Sequence, residues 1–328
     1  MNSDSMSIVI PTLNEELNLE RCLSSVFRQK YKGKLEVFIV DGGSTDKTIE
    51  IAKRFQVKIL KNPMKDAESG KMIGLRASKA YYFMILDADM DLCGDDYFNK
   101  LLKPLKEDST IIGSYGKYIS YPDDSFLTRY VTLDCIQRDP LFRFLTADPQ
   151  KVLKEKRQGY WVCGYETDRI VPHGFSLYRR RQLIDLKLDK RRKFMELDTI
   201  YILVERGFKR FAYVPSARLH HPFLKNIKML ISKRIRNLRT QFFNQPDKRK
   251  FTWINFKNRN DILKIILWVV YANSLVLPAL VGIWRMIKYK SAIALYEPVF
   301  VWLTTNLTIA VFLTEKEGRK LIFKSIFK

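Results

Sequence analysis

Acidic residues stand at two points of the sequence where an apolar run ends. Val37–Val40 leads into Asp41, and Phe83–Leu86 leads into Asp87-Ala88-Asp89. If both runs are strands, these carboxylates lie at strand tips, and alternation along the strand puts Asp87 and Asp89 on the same side. Carboxylate oxygens suit Mg²⁺ or Mn²⁺, which complete their shells with water and substrate phosphates. The pattern predicts a site for a cation or a polar ligand.

The elements that must position these acids alternate between strand and helix. A chain of this order forms a parallel sheet with right-handed crossovers. Ligands of such a sheet bind beyond the carboxyl ends of its strands. The predicted strands are Ser7–Ile10, Leu35–Val40, Val57–Leu60 and Tyr81–Leu86, and the predicted helices include Lys47–Phe55 and Gly70–Lys79.

Three motifs of this region resemble the family 2 glycosyltransferases. They are Ser7–Glu15 (SIVIPTLNE), Val40–Thr48 (VDGGSTDKT) and Leu86–Asp89 (LDAD). The resemblance covers about residues 6–222. It implies an α/β catalytic domain of the GT-A, Rossmann-like type with a mostly parallel sheet. It also implies an inverting transfer from a nucleotide diphosphate sugar, with Mg²⁺ or Mn²⁺ bound near the Asp-x-Asp motif.

The resemblance also assigns the nucleotide-sugar side of the site. Glu15 is expected to reach the ribose hydroxyls. Asp41 is expected to accept a hydrogen bond from the base, most simply from N3–H of uracil, which favours a UDP-sugar. Lys71 stands where the family often has a basic residue, but Met72 follows where an asparagine is common. The implied nucleotide-sugar-binding residues are Pro11, Thr12, Asn14, Glu15, Asp41, Lys71, Asp87 and Ala88.

The implied metal ligands are Asp89, Asp87 and a histidine at the end of the catalytic domain. His220 and His221 are adjacent there, and His221 is the residue we name. A structural histidine in a loop is the alternative. Asp89 is expected to hold the metal that bridges the diphosphate, since the leaving nucleotide develops negative charge.

An inverting transfer needs a group that takes the proton of the attacking hydroxyl. Glu196 and Asp198 precede Gly207 in a pattern that resembles the family's acidic helix start ahead of a glycine turn. Glu196 is the favoured base and Asp198 the alternative. Acids at a helix start also stabilise its dipole without a catalytic role. A lipid phosphate acceptor is already anionic and needs no strong base.

The net charge of +23 is distributed unevenly over the 328 residues. Residues 223–328 hold 20 basic and 5 acidic side chains, whereas the preceding residues have a net charge of +8. Hydrophobic residues make up 46% of the chain, which excludes general disorder. A charge of this size indicates a polyanionic partner, either nucleic acid or an anionic membrane surface. No nucleic-acid motif is recognisable, so a nucleic-acid-binding protein is the less favoured class.

The last third of the chain also holds the two longest apolar runs. Ile265–Trp284 has 20 residues without a charge, and Pro298–Thr314 adds 17. Such lengths fit membrane insertion, either as bilayer spans or as a re-entrant hairpin, and basic residues flank both runs as they flank cytoplasmic ends of membrane segments. A pair of buried globular helices is the alternative. Leu224–Phe243 mixes apolar and basic residues at helical spacing, which predicts an interfacial helix or a helix packed on the catalytic domain.

These patterns divide the chain into three parts. They are a GT-A domain (1–222), a basic amphipathic helix and linker (223–260), and a membrane-inserted helical hairpin with a basic tail (261–328). Four cysteines without metal-type spacing indicate reduced thiols in the cytoplasm. We expect a catalytic domain on the cytoplasmic side of the cell membrane that acts on a lipid-linked or cell-surface glycan. A polyprenyl-phosphate glycosyltransferase, similar to dolichol-phosphate-mannose synthase, is the alternative.

Overall fold

The chain forms two compact units. The computed structural model describes residues 4–173, 176–191, 193–243, 249–251, 254 and 258–326. One unit contains the chain up to Ile119 together with Asp148–His221, and the other contains Ser120–Ala147 and the chain from Pro222 onward. The predicted catalytic domain therefore differs from the first unit, because residues 120–147 pack with the C-terminal helices. Parts of the predicted linker, 244–248, 252–253 and 255–257, lie outside the described residues.

The described strands of the first unit form one sheet. They are β1 (Ser5–Thr12), β2 (Lys34–Asp41), β3 (Lys58–Lys61), β4 (Tyr82–Ile85), β5 (Asp91–Leu92), β6 (Gly113–Ile119), β7 (Leu153–Arg157), β8 (Tyr160–Gly164), β9 (Leu177–Arg179) and β10 (Arg210–His220). Their order is β3-β2-β1-β4-β9-β6-β10-β8-β7, and β5 pairs with β10. β3, β2, β1, β4, β6 and β10 run in one direction. The mostly parallel sheet confirms the predicted α/β class.

The four strands predicted from sequence are all present, and their ends differ by at most two residues. β1 is buried along its whole length and lies between β2 and β4. Strands covered on both faces are mostly apolar, which explains why apolar runs identified β1, β2 and β4.

Helices cover the sheet and build the second unit. In chain order they are α1 (Leu19–Phe27), α2 (Thr48–Ala52), α3 (Ala67–Ala77), α4 (Tyr97–Glu107), α5 (Phe126–Val131), α6 (Pro140–Leu145), α7 (Pro149–Val152), α8 (Arg180–Asp185), α9 (Glu196–Glu205), α10 (Ile227–Asn237), α11 (Arg259–Ser274), α12 (Val276–Tyr289), α13 (Glu297–Thr314) and α14 (Lys316–Ile326). α5, α6 and α10 to α14 belong to the second unit.

Helix α3 is held close to the sheet. The Asp66 carboxylate caps it by accepting a hydrogen bond from the Ser69 amide at 2.9 Å. Gly74 lies directly over β1, where a β-carbon would come within 2.3 Å of Val9 Cγ1. A larger residue at this position would push the helix off the strand. The close approach fixes Lys71, one turn earlier, beside the carboxyl end of the sheet.

α13 is the central helix of the second unit, and it packs against α6, α10, α11 and α12. Segment 120–147 belongs to this unit because its apolar side chains complete the core around α13. The cluster consists of Leu127, Tyr130, Val131, Leu224, Leu230 and Phe300.

The predicted interfacial helix has part of its apolar face packed within the second unit, while Ile227 at its start is 46% exposed. α10 covers only part of Leu224–Phe243, and a π-helical turn, Leu238–Phe243, follows it. Leu230 is 4% exposed and lies in the cluster with Phe300, while Ile231 and Ile235 are half-buried. α10 therefore packs on α13 within the second unit and has a basic outer face.

The first long apolar run is two helices, not one. α11 ends at Ser274, Leu275 has a φ of 56°, and the axis of α12 is bent from that of α11 by 82°. The second run coincides with α13. By length and composition, and within the described part of the chain, the stretch Ala292–Thr314 could cross a membrane alone, whereas α11 and α12 could do so only as a broken pair.

A buried acid ties three segments of the second unit together. Glu297, at the start of α13, is fully buried. The Tyr130 hydroxyl donates to its Oε2 at 2.5 Å, Arg143 donates to its Oε1, and Arg285 Nε lies 3.2 Å from Oε2. Arg285 also faces Asp134 at 3.6 Å. These charges neutralise one another, so Arg285 and Glu297, which border the two apolar runs, belong to the interior of the unit.

Loss of the Glu297 charge should destabilise the second unit. Glu297→Gln removes the carboxylate that the partly buried Arg143 and the buried Arg285 share, and breaking a buried pair costs about 3–5 kcal/mol. Urea unfolding followed by tryptophan fluorescence measures this, because Trp268, Trp284 and Trp302 lie in the second unit. Glu317→Gln, which removes an exposed pair with Lys320 at 2.9 Å, is the control and should cost less than about 1 kcal/mol. Equal stability of the two variants would contradict the prediction.

Candidate active site

The carboxyl ends of five strands meet at one edge of the first unit's sheet. β1, β2, β4, β6 and β10 run in the same direction, so their last residues lie on the same side. Thr12 ends β1, Asp41 ends β2, Asp87 follows β4, and His221 follows β10. The sheet thus gathers residues that are far apart in sequence, as expected for an open parallel sheet.

The carboxylate of Asp41 organises its own turn. Its Oδ2 accepts hydrogen bonds from the amides of Gly43 and Ser44 at 2.8 and 3.0 Å, and its Oδ1 accepts one from the Ser44 hydroxyl at 2.5 Å. Thr12 donates a longer bond of 3.4 Å to Oδ1. A carboxylate oxygen accepts about two hydrogen bonds. A ligand group that approaches Asp41 must therefore replace the Thr12 hydroxyl.

Asn14 and Glu15 join the loop after β1 to the turn after β2. The Asn14 amide donates to the Ser44 hydroxyl at 2.9 Å, and its side-chain oxygen accepts from the Thr45 amide at 2.9 Å. The Glu15 amide donates to the Thr48 hydroxyl at 2.7 Å. Asn14 is exposed and Glu15 is half-buried. The two predicted nucleotide residues thus lie beside Thr12 and Asp41 in a loop that hydrogen bonds hold in shape.

Lys71 and Glu196 form an ion pair beside the strand ends. Lys71 Nζ donates to Glu196 Oε1 at 2.7 Å, and the two side chains are 7% and 25% exposed. Burial alone would lower the pKa of Lys71, but the carboxylates of Glu196, Asp87 and Glu68 outweigh burial and raise this pKa. Burial raises the pKa of Glu196, the Lys71 ammonium opposes this, and Asp87 and Glu68 add to the rise.

Asp87 is buried among several charged groups at this edge. Burial raises the pKa of its carboxyl, and the negative charges of Asp89 and Glu68 raise this pKa further. Lys71 and His221 lower it. Glu68 is a site residue that our sequence analysis did not identify. Its signal is the spacing on α3, since Glu68 and Lys71 are three residues apart on one helix face.

Asp89 and His221 meet at the same edge. His221 Nε2 lies 3.4 Å from Asp89 Oδ2, and the side chains are 7% and 27% exposed. A carboxylate oxygen and an imidazole nitrogen both suit Mn²⁺. Within the described residues, no group of three or more His, Cys, Asp or Glu side chains is placed to hold a metal ion alone. Two of the three predicted ligands, Asp89 and His221, thus lie together, and phosphate oxygens and water would have to supply the remaining ligands of a metal ion.

The remaining predicted residues lie deeper in the unit. Asp198 is 1% exposed and lies 3.8 Å from Arg191, so Glu196 is the more accessible of the two acids. Pro11 is buried where Gly70 of α3 approaches it, and Ala88 is 4% exposed. Met72 is 1% exposed and fills the core under α3. A polar side chain at position 72 would not reach the site from this position.

Tyr118, at the end of β6, adds an aromatic wall to the site. Its ring centroid lies 6.2 Å from that of His221. Burial raises the pKa of the Tyr118 hydroxyl, and the negative charges of Glu196, Asp87 and Asp89 contribute to the rise. The sequence signal for this residue is the richness of 115–170 in aromatic and charged side chains, which predicts a role on the acceptor side, and the sheet order brings β6 next to β10.

Known proteins share this sequence and architecture in part. Poly(ribitol-phosphate) beta-N-acetylglucosaminyltransferase TarP of Staphylococcus aureus is 34% identical over 120 residues, which cover 34% of this chain and 36% of the relative. A Methanococcus voltae enzyme, dolichyl N-acetyl-alpha-D-glucosaminyl phosphate 3-beta-D-2,3-diacetamido-2,3-dideoxy-beta-D-glucuronosyltransferase, is 35% identical over 91 residues, which cover 25% and 28%. The chain spans between 17 and 40% of the length of the first curated relatives it matches.

A solved structure is similar over most of the chain. The mannosyltransferase PcManGT of Pyrobaculum calidifontis, in complex with GDP-Man and Mn²⁺, is 17% identical, with a TM-score of 0.49 and coverage of 99% of this chain and 84% of that one.

The sequence model of one family covers the strands, loops and acidic motif described above. It is the model described as Glycosyl transferase family 2, and it matches residues 7–186. Since this match includes more than half of the chain, the protein belongs to glycosyl transferase family 2.

Proposed function

We propose that the protein is an inverting glycosyltransferase that moves a sugar from a nucleoside diphosphate sugar to a hydroxyl of a lipid-linked or cell-surface glycan. The observation that carries this proposal is the meeting of two pairs at the carboxyl end of the sheet. One is the Asp89–His221 pair, and the other is the buried Lys71–Glu196 ion pair. Family membership supplies the reaction class, and the acids supply the groups that the reaction needs.

The donor side of the site consists of Thr12, Asn14, Glu15, Asp41 and the edge of α3. Glu15 is the group we propose for the ribose hydroxyls. Asp41 Oδ1 is the acceptor we propose for the base, since its bond from Thr12 is long, at 3.4 Å. The N3–H of uracil fits one carboxylate oxygen, so UDP is the favoured nucleotide.

Negative charge develops on the diphosphate as its bond to the sugar breaks. Lys71 places a buried ammonium next to Asp87, where it can counter this charge. Asp89 and His221 would hold a divalent metal, with Asp87 beside them. Mg²⁺ or Mn²⁺ in this position supplies Lewis-acid stabilisation of the phosphate oxygens. The Lys71 ammonium and the divalent metal would thus be two sources of positive charge for the leaving diphosphate.

Glu196 is the group that we propose for the acceptor side. In the transfer, the acceptor oxygen bonds to the anomeric carbon, the bond to the diphosphate oxygen breaks, and the hydroxyl proton passes to the Glu196 carboxylate. Burial makes this carboxylate more basic than an exposed one, while Lys71 keeps it ionised. Asp198 is the alternative base, but its burial at 1% exposure favours a structural role.

The acceptor proposal rests on relatives and on composition. The Methanococcus voltae relative is named for a dolichyl-linked sugar phosphate, and TarP for poly(ribitol-phosphate). The basic and apolar C-terminal third favours an acceptor at the cytoplasmic face of the cell membrane. Transfer to a polyprenyl phosphate is the second candidate, and it differs because a phosphate acceptor needs no strong base.

Loss of the Asp89 carboxylate should abolish metal-dependent transfer. Asp89→Asn should lower kcat/KM by at least about 100-fold, because one ligand of the ion that stabilises the leaving group is lost. Turnover of UDP-sugars with Mn²⁺ measures this, as does the rise in Tm caused by UDP and Mn²⁺ together. Asp91→Asn is the matched control, since Asp91 pairs with Arg28 at 3.6 Å. Wild-type turnover in Asp89→Asn would refute the metal role.

Glu196→Gln and Asp198→Asn separate the two candidate bases. Glu196→Gln should lower kcat by about 10²–10⁴-fold, the usual contribution of a general base. Asp198→Asn should lower stability more than kcat, because Asp198 is buried beside Arg191. Steady-state kinetics and thermal melts measure both effects. Near-wild-type rates in both variants would contradict a hydroxyl acceptor and support a polyprenyl phosphate.

The rate should fall on the acid side with a midpoint above the ordinary glutamate value of about 4.3. Glu196 must be ionised to accept a proton, and burial raises its pKa, with Asp87 and Glu68 adding to the rise. Lys71→Met removes the charge that opposes this rise, so the acid limb of kcat should move to higher pH. The limb should disappear in Glu196→Gln. The profile is measured at saturating donor and metal, and an unmoved limb in Lys71→Met would count against Glu196 as the base.

A further inference from the structure

Helix α11 exposes an apolar stripe. Leu263, Ile266, Leu267 and Val270 are 54–62% exposed, and their spacing of three and four residues puts them on one helix face. The opposite face is buried, since Trp268 packs in a cluster with Ala272 and Val301. On the outward face of a surface helix in a water-soluble protein, a continuous row of large apolar side chains is unusual.

Helix α12 continues this arrangement beyond the bend. Val276, Leu280, Ile283 and Ile287 are 44–70% exposed at spacings of four, three and four residues. Trp284, on the same side of the helix, is 57% exposed. We call these residues and the four of α11 the apolar stripe. Leu275 and Leu277, also exposed, connect its two halves along the chain at the bend.

Positive charge accompanies the apolar stripe. Residues 259–290 contain five basic side chains and a single acid, Asp261. Lys264 and Lys288 are exposed, and Lys288 Nζ lies over the Trp284 ring at 4.8 Å from its centroid. Tryptophan and lysine side by side at the edge of an apolar surface are typical of helices that lie at an anionic membrane–water interface. The charge complements acidic lipid headgroups.

The geometry of the helices fits one leaflet better than a span. α11 has 16 residues and α12 has 14, lengths of about 24 and 21 Å, which are less than the ~30 Å hydrocarbon core. The bend of 82° prevents them from adding their lengths. Each helix is instead long enough to lie in the interface with its apolar face buried.

One face of α13 packs on protein, although the composition of the helix suits a span and Val299, Trp302 and Leu313 are exposed. Its first residue, Glu297, is fully buried among Arg143, Arg285 and Tyr130. Further along, the Trp268 indole donates to the Thr305 hydroxyl at 2.9 Å. α6 and α10, which also pack on α13, carry charged residues. A spanning α13 would carry these charged helices into lipid, at a high energetic cost.

We propose that the second unit binds one leaflet of an anionic membrane through the apolar stripe, with α13 as its core helix and no segment of the stripe crossing the bilayer. The partner is the lipid surface itself. This inference deepens the proposed function, on which it rests only for the role of the membrane as the location of the acceptor.

Flotation with preformed vesicles tests the inference on the full-length purified chain. We expect the protein to float with phosphatidylcholine vesicles that contain phosphatidylglycerol, and less with phosphatidylcholine alone. Ile266→Glu with Val270→Glu, and separately Ile283→Glu with Ile287→Glu, should reduce the bound fraction at least about tenfold. These positions are exposed, so the fold should be retained, and circular dichroism checks this. Ile59→Glu with Met64→Glu changes the charge equally at exposed positions of the first unit and should float as the wild type does.

Three results would overturn the inference. The first is unchanged flotation of both stripe variants. The second is a protein that does not bind preformed vesicles and stays in membranes after high-pH extraction, which would indicate spanning helices. The third is a wild-type dimer that the stripe variants convert to a monomer without any vesicle binding, since a second copy would then cover the stripe. Donor turnover on a soluble acceptor is measured in parallel. If the wild-type protein binds vesicles but shows no donor turnover, the proposed function is contradicted and the membrane inference is not.

Discussion

The Lys71 ammonium lies among carboxylates that would otherwise repel one another. Glu196, Asp87 and Glu68 all act on its pKa, and it is nearly buried itself. Several ionised acids cannot share a dry site without a compensating cation. Helix α3 must therefore stay against β1, and Gly74 permits this approach. The candidate donor, metal and base groups can lie together at one edge because the charge of one buried lysine reduces the repulsion between their carboxylates.

The second unit uses charge in a different way. Arg285 follows the first apolar run and Glu297 precedes the second, so the hydropathy of the sequence predicts that both side chains face water. In the structure they pair with each other in the interior, together with Arg143 and Tyr130. Much of the apolar surface that remains open belongs to α11 and α12, and α13 exposes a smaller part at Val299, Trp302 and Leu313. Hydropathy identified the apolar segments correctly, but only packing distinguishes the core helix from the surface helices.

The sequence predicted what is local. Four strands, the acids at their tips and the family motifs follow from runs of a few residues, because the centres of these parallel strands are mostly apolar and polar residues follow them. Pairing across long separations did not follow. Lys71 meets Glu196 over 125 residues, and β6 reaches its neighbours only through the sheet order. The apolar face of α10 was visible, but its partner α13 was not.

The chain leaves the sheet after Ile119 and returns at Asp148, and the intervening segment completes the second unit. During synthesis this segment emerges from the ribosome long before Glu297 and Phe300, with which Tyr130 packs. Domains generally fold as units in the order of synthesis, but this one cannot close until its last helices exist. Until those helices are synthesised, Arg143 lacks its partner Glu297 and the apolar side chains of segment 120–147 have no core to pack into. A fragment cut at residue 222 would retain both defects permanently.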